Sequence, residues 1–254
     1  MNLLAMEGGP APTQWQPVPT FFERLAAEGV PSAVVSPARF AGSGLTGAAL
    51  RGARHVPADS LDERVSAALR ELRAGTPVVY LYWSEIDHSG HGHGIGSDAW
   101  VGQVEQFDAG LAVLLRGLPH GVRTILTADH GMINVDRSAI WDVASTPALR
   151  WGVRIIAGET RAAHVHAQVG HAREVEERWR DTLGDSAWVL SRDQMHALIG
   201  EGQGASIVGD LLVLARGYGG VVDSRTQSAS AIAMPGVHGS VTSAEMRIPV
   251  IALS

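Results

Sequence analysis

The 254-residue chain contains no cysteine, and that absence removes disulfides, thiolate nucleophiles and cysteine-held zinc sites together. Any metal must then be held by histidine and carboxylate. Positive charge is also short: 20 Lys and Arg face 26 Asp and Glu, a formal charge of −6. That balance argues against a polyanion-binding surface, so no nucleic-acid partner is expected. No apolar run approaches the roughly 18 residues that a spanning helix needs, so no membrane partner is expected either. The opening, M-N-L-L-A-M-E-G-G-P, lacks a basic segment followed by a sustained apolar core. It does not read as a signal peptide, and a cytoplasmic location is the expectation. Repeats and low-complexity segments are lacking too. What remains is 45% hydrophobic, an ordinary globular composition on a chain long enough to bury a real core.

Within that chain, Tyr80–Gly131 organises the rest. It begins Y-L-Y-W-S-E-I-D-H-S-G-H and ends T-I-L-T-A-D-H-G. The apolar runs Val78–Trp83 and Thr124–Thr127 have the length and composition of buried strands. Each delivers an Asp and a His just past its carboxyl end: Asp87 with His91, then Asp129 with His130. Between them the spacing of Val101, Val104, Phe107, Leu111, Leu114 and Leu115 predicts a helix over Asp98–Leu118, with Asp98 as N-cap. A strand–helix–strand unit implies parallel strands and a right-handed crossover. Ligands of open parallel sheets bind beyond the carboxyl ends of the strands, where both Asp/His pairs would lie.

Taken in order, residues 1–19 form an irregular, proline-rich lead-in. Thr20 caps a helix F-F-E-R-L-A-A-E, with Glu23 completing a capping box and Gly29 ending it. Val30–Ser36 reads as a strand, F-A-G-S-G-L-T-G as a loop, and Asp59 or Ser60 opens a helix running to Gly75. Beyond Gly131 the pattern becomes mixed. Strands are expected at Val153–Ala157 and Ala163–Gln168, a helix over His171–Leu183, and a strand at A-W-V-L. A helix near Asp193–Ile199 follows, then one or two strands between Ser206 and Val222, and a final strand in R-I-P-V-I-A-L. Residues 133–235 thus read as an α+β lobe inserted in one domain covering 1–254.

Eleven histidines are present. His55, His120, His171 and His196 sit in polar or helical contexts and need no special role. His164 and His166 lie two apart on a presumed strand and share one face, as a ligand pair or a solvated surface. His88 and His93 flank the central motif. His91, His130 and His238 differ in standing beside glycine, which permits the close backbone approach of a ligand cage. Asp87 and His91, four apart, can meet on one helical turn or tight loop. Asp129 and His130 are adjacent, so only a turn brings both round one pocket, unless each serves a different ion. Three His and two Asp without Cys suit Zn²⁺, with Mn²⁺ as the other choice. The same spacing also suits aspartates that cap loops and histidines that bond to them.

D-H-S-G-H at Asp87–His91, T-A-D-H-G-M at Thr127–Met132 and G-V-H-G at Gly236–Gly239 together resemble the alkaline phosphatase superfamily, in its nucleotide pyrophosphatase/phosphodiesterase branch. The three motifs occur in order and far apart, and the resemblance runs through nearly the whole chain. It implies a doubly wound, mostly parallel α/β sheet with helices on both faces, and a metal-dependent hydrolase of phosphodiester or pyrophosphate bonds. Two divalent ions are implied, one held by Asp87, His91 and His238, the other by Asp129 and His130. The implied partner is a small phosphoester or nucleotide. In such enzymes the second ion also takes an aspartate from the first strand, and a Thr or Ser at the next helix start attacks phosphorus.

Those last two groups have no counterpart that aligns here. The G-S-G-L-T loop offers Ser43 and Thr46 as hydroxyls, but neither matches the motif, so no catalytic nucleophile is assigned. The fold is accordingly expected to be incomplete at the N-terminus, with an exposed sheet edge that an oligomer could cover. The alternative to an enzyme is a non-catalytic remnant that binds metal or phosphoester without turnover.

Overall fold

The computed structural model describes residues 6, 8–200, 202, 204 and 207–253. The first residues of the lead-in and Ser206 lie outside them. The chain divides into two compact units, Met1–Ile86 with Gly102–Ile125 and Ala252–Ser254, and Asp87–Val101 with Leu126–Ile251.

The first unit opens with α1 (Pro12–Trp15) and α2 (Phe21–Ala27), followed by β1 (Ser32–Ser36), α3 (Gly44–Ala49), β2 (Arg54–Pro57), α4 (Leu61–Arg73) and β3 (Val78–Leu81). The three strands form a parallel sheet in the order β2-β1-β3, and helical segments connect them, as parallel pairing requires. Two helix starts follow from reciprocal caps. The Thr20 hydroxyl accepts from Glu23 N at 3.0 Å while the Glu23 carboxylate accepts from Thr20 N at 2.8 Å. Ser60 and Glu63 repeat the arrangement at 3.2 and 2.8 Å. The apolar face of α4, Leu61, Val65 and Leu69, packs with Leu81, Trp83 and Leu114. Arg64, on the same helix, is fully buried. It donates to the carbonyls of Ala58, Asp59 and Tyr82 and to the carboxylate of Glu85, so every arm of the guanidinium is occupied.

Two elements here depart from expectation. The glycine-rich stretch read as a loop contains α3, begun by Ser43, whose hydroxyl accepts from Thr46 N at 3.2 Å. R-H-V-P forms β2 because β1 supplies a partner, with Val34 opposite His55, and the Ser36 hydroxyl meets His55 Nε2 at 2.8 Å across the pair. Pairing of this kind is tertiary and leaves no local signal.

Next come α5 (Glu85–His93), α6 (Asp98–Gly117) and β4 (Thr124–Thr127). Helix and strands of the expected unit are present, but among the described residues β3 and β4 are not neighbours. β3 is hydrogen-bonded to β1, whereas β4 pairs with the strand Val250–Leu253. In place of one mostly parallel sheet the α/β chain carries a small parallel sheet together with separate antiparallel and two-stranded ones. The periodicity of a strand specifies its faces, not its neighbour.

The second unit contains β5 (Ile133–Asn134), β6 (Ile140–Asp142), α7 (Pro147–Arg150), β7 (Val153–Glu159), β8 (Ala162–Ala167), α8 (Ala172–Leu183), β9 (Ala187–Ser191), α9 (Arg192–Ile199), β10 (Leu211–Ala215), β11 (Gly220–Val222), α10 (Ala229–Ile232), β12 (Gly236–Val237), α11 (Ser243–Met246) and the first half of β13 (Val250–Leu253). Its centre is an antiparallel sheet, β7-β8-β10-β9. Ala163 and Val165 of β8 turn inward with Val189, Leu211 and Val213 against Val175, Trp179 and Leu183 of α8. The alternation puts His164 and His166 on the opposite face. The indole of Trp179, fully buried, donates to Leu149 O at 3.1 Å. A short antiparallel ladder aligns Gly236 with Asn134 and Val237 with Ile133, so the residue after β12, His238, arrives beside the turn that carries His130. Among the described residues no helix is long and apolar enough to cross a membrane.

Candidate metal centre

Asp87, His91, Asp129, His130 and His238 all belong to the second unit. Asp87 and His91 lie one turn apart on α5, a helix that its Gly and His content did not announce. Helical spacing of four places both side chains on one face. Gly90, between them, faces Met132: a Cβ there would lie 2.5 Å from its Sδ. Gly236 is closer still, since a Cβ on it would run into the carbonyl oxygen of Gly90, and one on Gly131 would meet the carbonyl oxygen of Ala244. Backbone contact thus holds Gly131 and Gly236 to glycine, the Met132 side chain crowds Gly90, and Gly239, after His238, is set by its φ of +124°.

Three imidazoles face one carboxylate oxygen. Asp87 Oδ1 is 3.4 Å from His91 Nε2, 3.9 Å from His238 Nε2 and 4.0 Å from His130 Nε2. Donor atoms of Asp87, His91 and His238 all lie within 4.8 Å of one another. The rings of His130 and His238 stack, with centroids 3.5 Å apart and planes 18° from parallel. His91 Nδ1 is 2.9 Å from Gly236 O, and His130 Nδ1 is 2.9 Å from Gly131 O. A carbonyl oxygen only accepts, so each Nδ1 carries a proton, and in the neutral form of either ring Nε2 is left with a bare lone pair. The Nε2 atoms surround Asp87 Oδ1, itself buried and without a hydrogen-bond partner among the described residues. Acceptors facing acceptors in a partly desolvated pocket leave the centre short of positive charge. A divalent cation would supply that charge, and His/carboxylate donors suit zinc or manganese. The carbonyls on Nδ1 are the outer partners that orient ligating histidines in metal sites.

Asp129 stands apart. Its side chain is 80% exposed, Oδ1 accepts from His130 N at 3.1 Å, and the same oxygen is 3.6 Å from His130 Nε2. The turn expected between these adjacent residues is present, and its aspartate sits at the solvent side.

Burial pushes the His238 imidazole below its usual value, helped by the neighbouring His130 ring and opposed by Asp87. Glu159, at the end of β7, also opposes the shift through its charge. It is a residue that sequence reasoning passed over, since G-E-T-R reads only as a turn. On the opposite face of β8, burial and then the His166 ring lower His164. A histidine whose folded value lies below 6.5 leaves the unfolded chain binding more protons as pH falls through that point. Stability is therefore lost on acidification below it and unaffected above it. Thermal melts of metal-free protein at about pH 7.5 and about pH 5.5 should show a loss that His164→Gln reduces. An unchanged loss in that variant would assign the effect elsewhere.

The model of the type I phosphodiesterase / nucleotide pyrophosphatase family matches residues 6–240. The chain belongs to that family. It is thereby a member of the alkaline phosphatase superfamily. Murine ectonucleotide pyrophosphatase/phosphodiesterase 5 superposes with a TM-score of 0.70 at 18% identity, covering 91% of this chain and 62% of that one. An inactive form of the murine protein in complex with AMP gives 0.71 over the same coverage. Phosphonoacetate hydrolase of Sinorhizobium meliloti, in complex with phosphonoacetate, gives 0.70 at 18% identity, covering 91% of this chain and 67% of that one. This family member therefore shares their fold and spans about three-fifths of the length of the ectonucleotide proteins. No curated protein matches it by sequence.

Proposed function

We propose that this chain is the metal-binding part of a phosphodiester- or pyrophosphate-hydrolysing site, with Asp87, His91 and His238 as the ligands of one divalent ion. Asp129 and His130 are the donors offered to a second. The reading is carried by one observation: a buried, unpartnered Asp87 oxygen ringed by three imidazole nitrogens. A bound ion supplies Lewis-acid stabilisation of charge developing at a phosphoryl group. The residues themselves provide the rest. Gly236 and Gly131 carbonyls fix the two tautomers, and burial keeps His238 in the neutral form that ligation needs. Family membership supports a phosphoester as substrate, and relatives in complex with AMP or phosphonoacetate support a small anionic one.

Hydrolysis of bis-p-nitrophenyl phosphate with added Zn²⁺, wild type against His238→Ala, tests the reading. Loss of a ligand is expected to lower the rate by about 100-fold or more. Equal rates would remove this pocket from the chemistry. Calorimetric binding of a nucleotide to zinc-loaded protein without turnover would instead favour a non-catalytic remnant.

A further inference from the structure

The geometry points to the buried Arg161–Glu245 ion pair as the strut that positions the metal centre, holding the turns of His130 and His238 at a fixed spacing. This rests on the metal reading above and adds to it two residues that touch no ligand. Arg161 and Glu245 are 84 positions apart, and both are buried in the second unit. Arg161 Nε donates to Glu245 Oε1 at 3.0 Å and its Nη2 to Oε2 at 2.8 Å, a planar fork on a carboxylate. Its Nη1 donates to Gly219 O.

The remaining capacity of Glu245 goes to the segment that follows His238. Oε1 also accepts from Ser240 N at 3.0 Å, and Oε2 accepts from the Thr242 hydroxyl at 2.5 Å. Its backbone carbonyl accepts from Gly131 N at 2.7 Å, one residue past His130. One residue thus grips the His238 turn with its side chain and the His130 turn with its main chain. The same segment is tied again to β10, where the Ser240 hydroxyl donates to Ala215 O at 2.6 Å and Ala215 N donates to Arg161 O at 2.9 Å.

Stability alone does not account for such a pair, because desolvating two charges offsets much of their attraction and an apolar pair of similar volume often serves as well. An apolar pair cannot aim directional bonds at Ser240 N and the Thr242 hydroxyl. Burial favours the neutral form of Glu245, yet Arg161, Thr242 and Ser240 outweigh it and hold the carboxyl below its usual range. The group stays ionised and keeps its four acceptor positions filled.

The test measures Zn²⁺ affinity of the full chain by chelator competition, and the visible spectrum of the Co²⁺ form, at a temperature where circular dichroism shows native structure. Glu245→Gln keeps the shape and weakens the fork; its Zn²⁺ affinity should fall about 10–100-fold, with an altered Co²⁺ spectrum. Val175→Ala, which truncates the core under α8, should lower the melting temperature with little change in either readout. A folded Glu245→Gln protein within about twofold of wild type would overturn the strut. Should that variant not fold, Thr242→Val decides, since it keeps the ion pair and drops one bond to Oε2. A loss of several-fold supports the strut, and unchanged affinity overturns it. A wild-type chain without zinc affinity would overturn the metal reading, and the strut's role with it.

Discussion

Replacing Asp87 by alanine is expected to empty the metal centre. Zinc retained after dialysis should fall from about one equivalent per chain to below roughly a tenth, because two imidazoles seldom hold Zn²⁺ against water. Asp87 is singled out by its position: Oδ1 is the one atom that three histidine nitrogens approach. It is the one carboxylate among the three clustered donors, so its loss removes attraction for a cation as well as a ligand. Asp87→Asn should behave nearly as badly, which separates charge from shape. Asp129→Asn should cost far less, since that side chain is mostly exposed and bonds chiefly to the backbone of the next residue. Undiminished zinc in Asp87→Ala would contradict the ligand assignment.

Gly236→Ala is expected to have the second large effect, on fold and site at once. The added methyl would run into the carbonyl oxygen of Gly90 and lie 2.7 Å from Met132 Sδ. Met132 can move; the carbonyl of α5 cannot move without its helix. Relief must come from parting β12 and α5, and that separation lengthens the 2.9 Å contact between Gly236 O and His91 Nδ1. Overpacking of this kind costs about 3 kcal/mol, a fall of roughly 6–12 °C in melting temperature for a chain of this size. Zinc affinity should drop with it. Gly92→Ala is the control, because a Cβ there meets nothing within 4 Å. Equal melting temperatures for the two variants would contradict the packing argument.

Local chemistry was legible in the sequence wherever it was self-contained. The Thr20/Glu23 and Ser60/Glu63 boxes start helices where a cap followed by glutamate three residues on says they should. The alternation A-H-V-H-A over β8 assigns Ala163 and Val165 to the core. What was not legible was tertiary. R-H-V-P became a strand through β1, and β4 found its partner some 125 residues downstream in β13. G-S-G-L-T-G looks like a loop until Ser43 caps it. Around the centre, the motifs led to Asp87, His91, His130 and His238 because glycine and acid flank them in sequence. Glu159, Arg161 and Glu245 carry no such mark, and only the fold brings them beside the histidine turns. Candidate metal donors leave short motifs; residues that fix the turns around them need not.

The most direct measurement is diffraction from zinc-soaked crystals at wavelengths on both sides of the zinc absorption edge. The expected result is an anomalous peak bonded to Asp87 Oδ1, His91 Nε2 and His238 Nε2, at the ~2.0–2.2 Å typical of nitrogen and oxygen ligands. A zinc-saturated crystal with no peak among these three atoms, or with its strongest peak elsewhere on the chain, would contradict it.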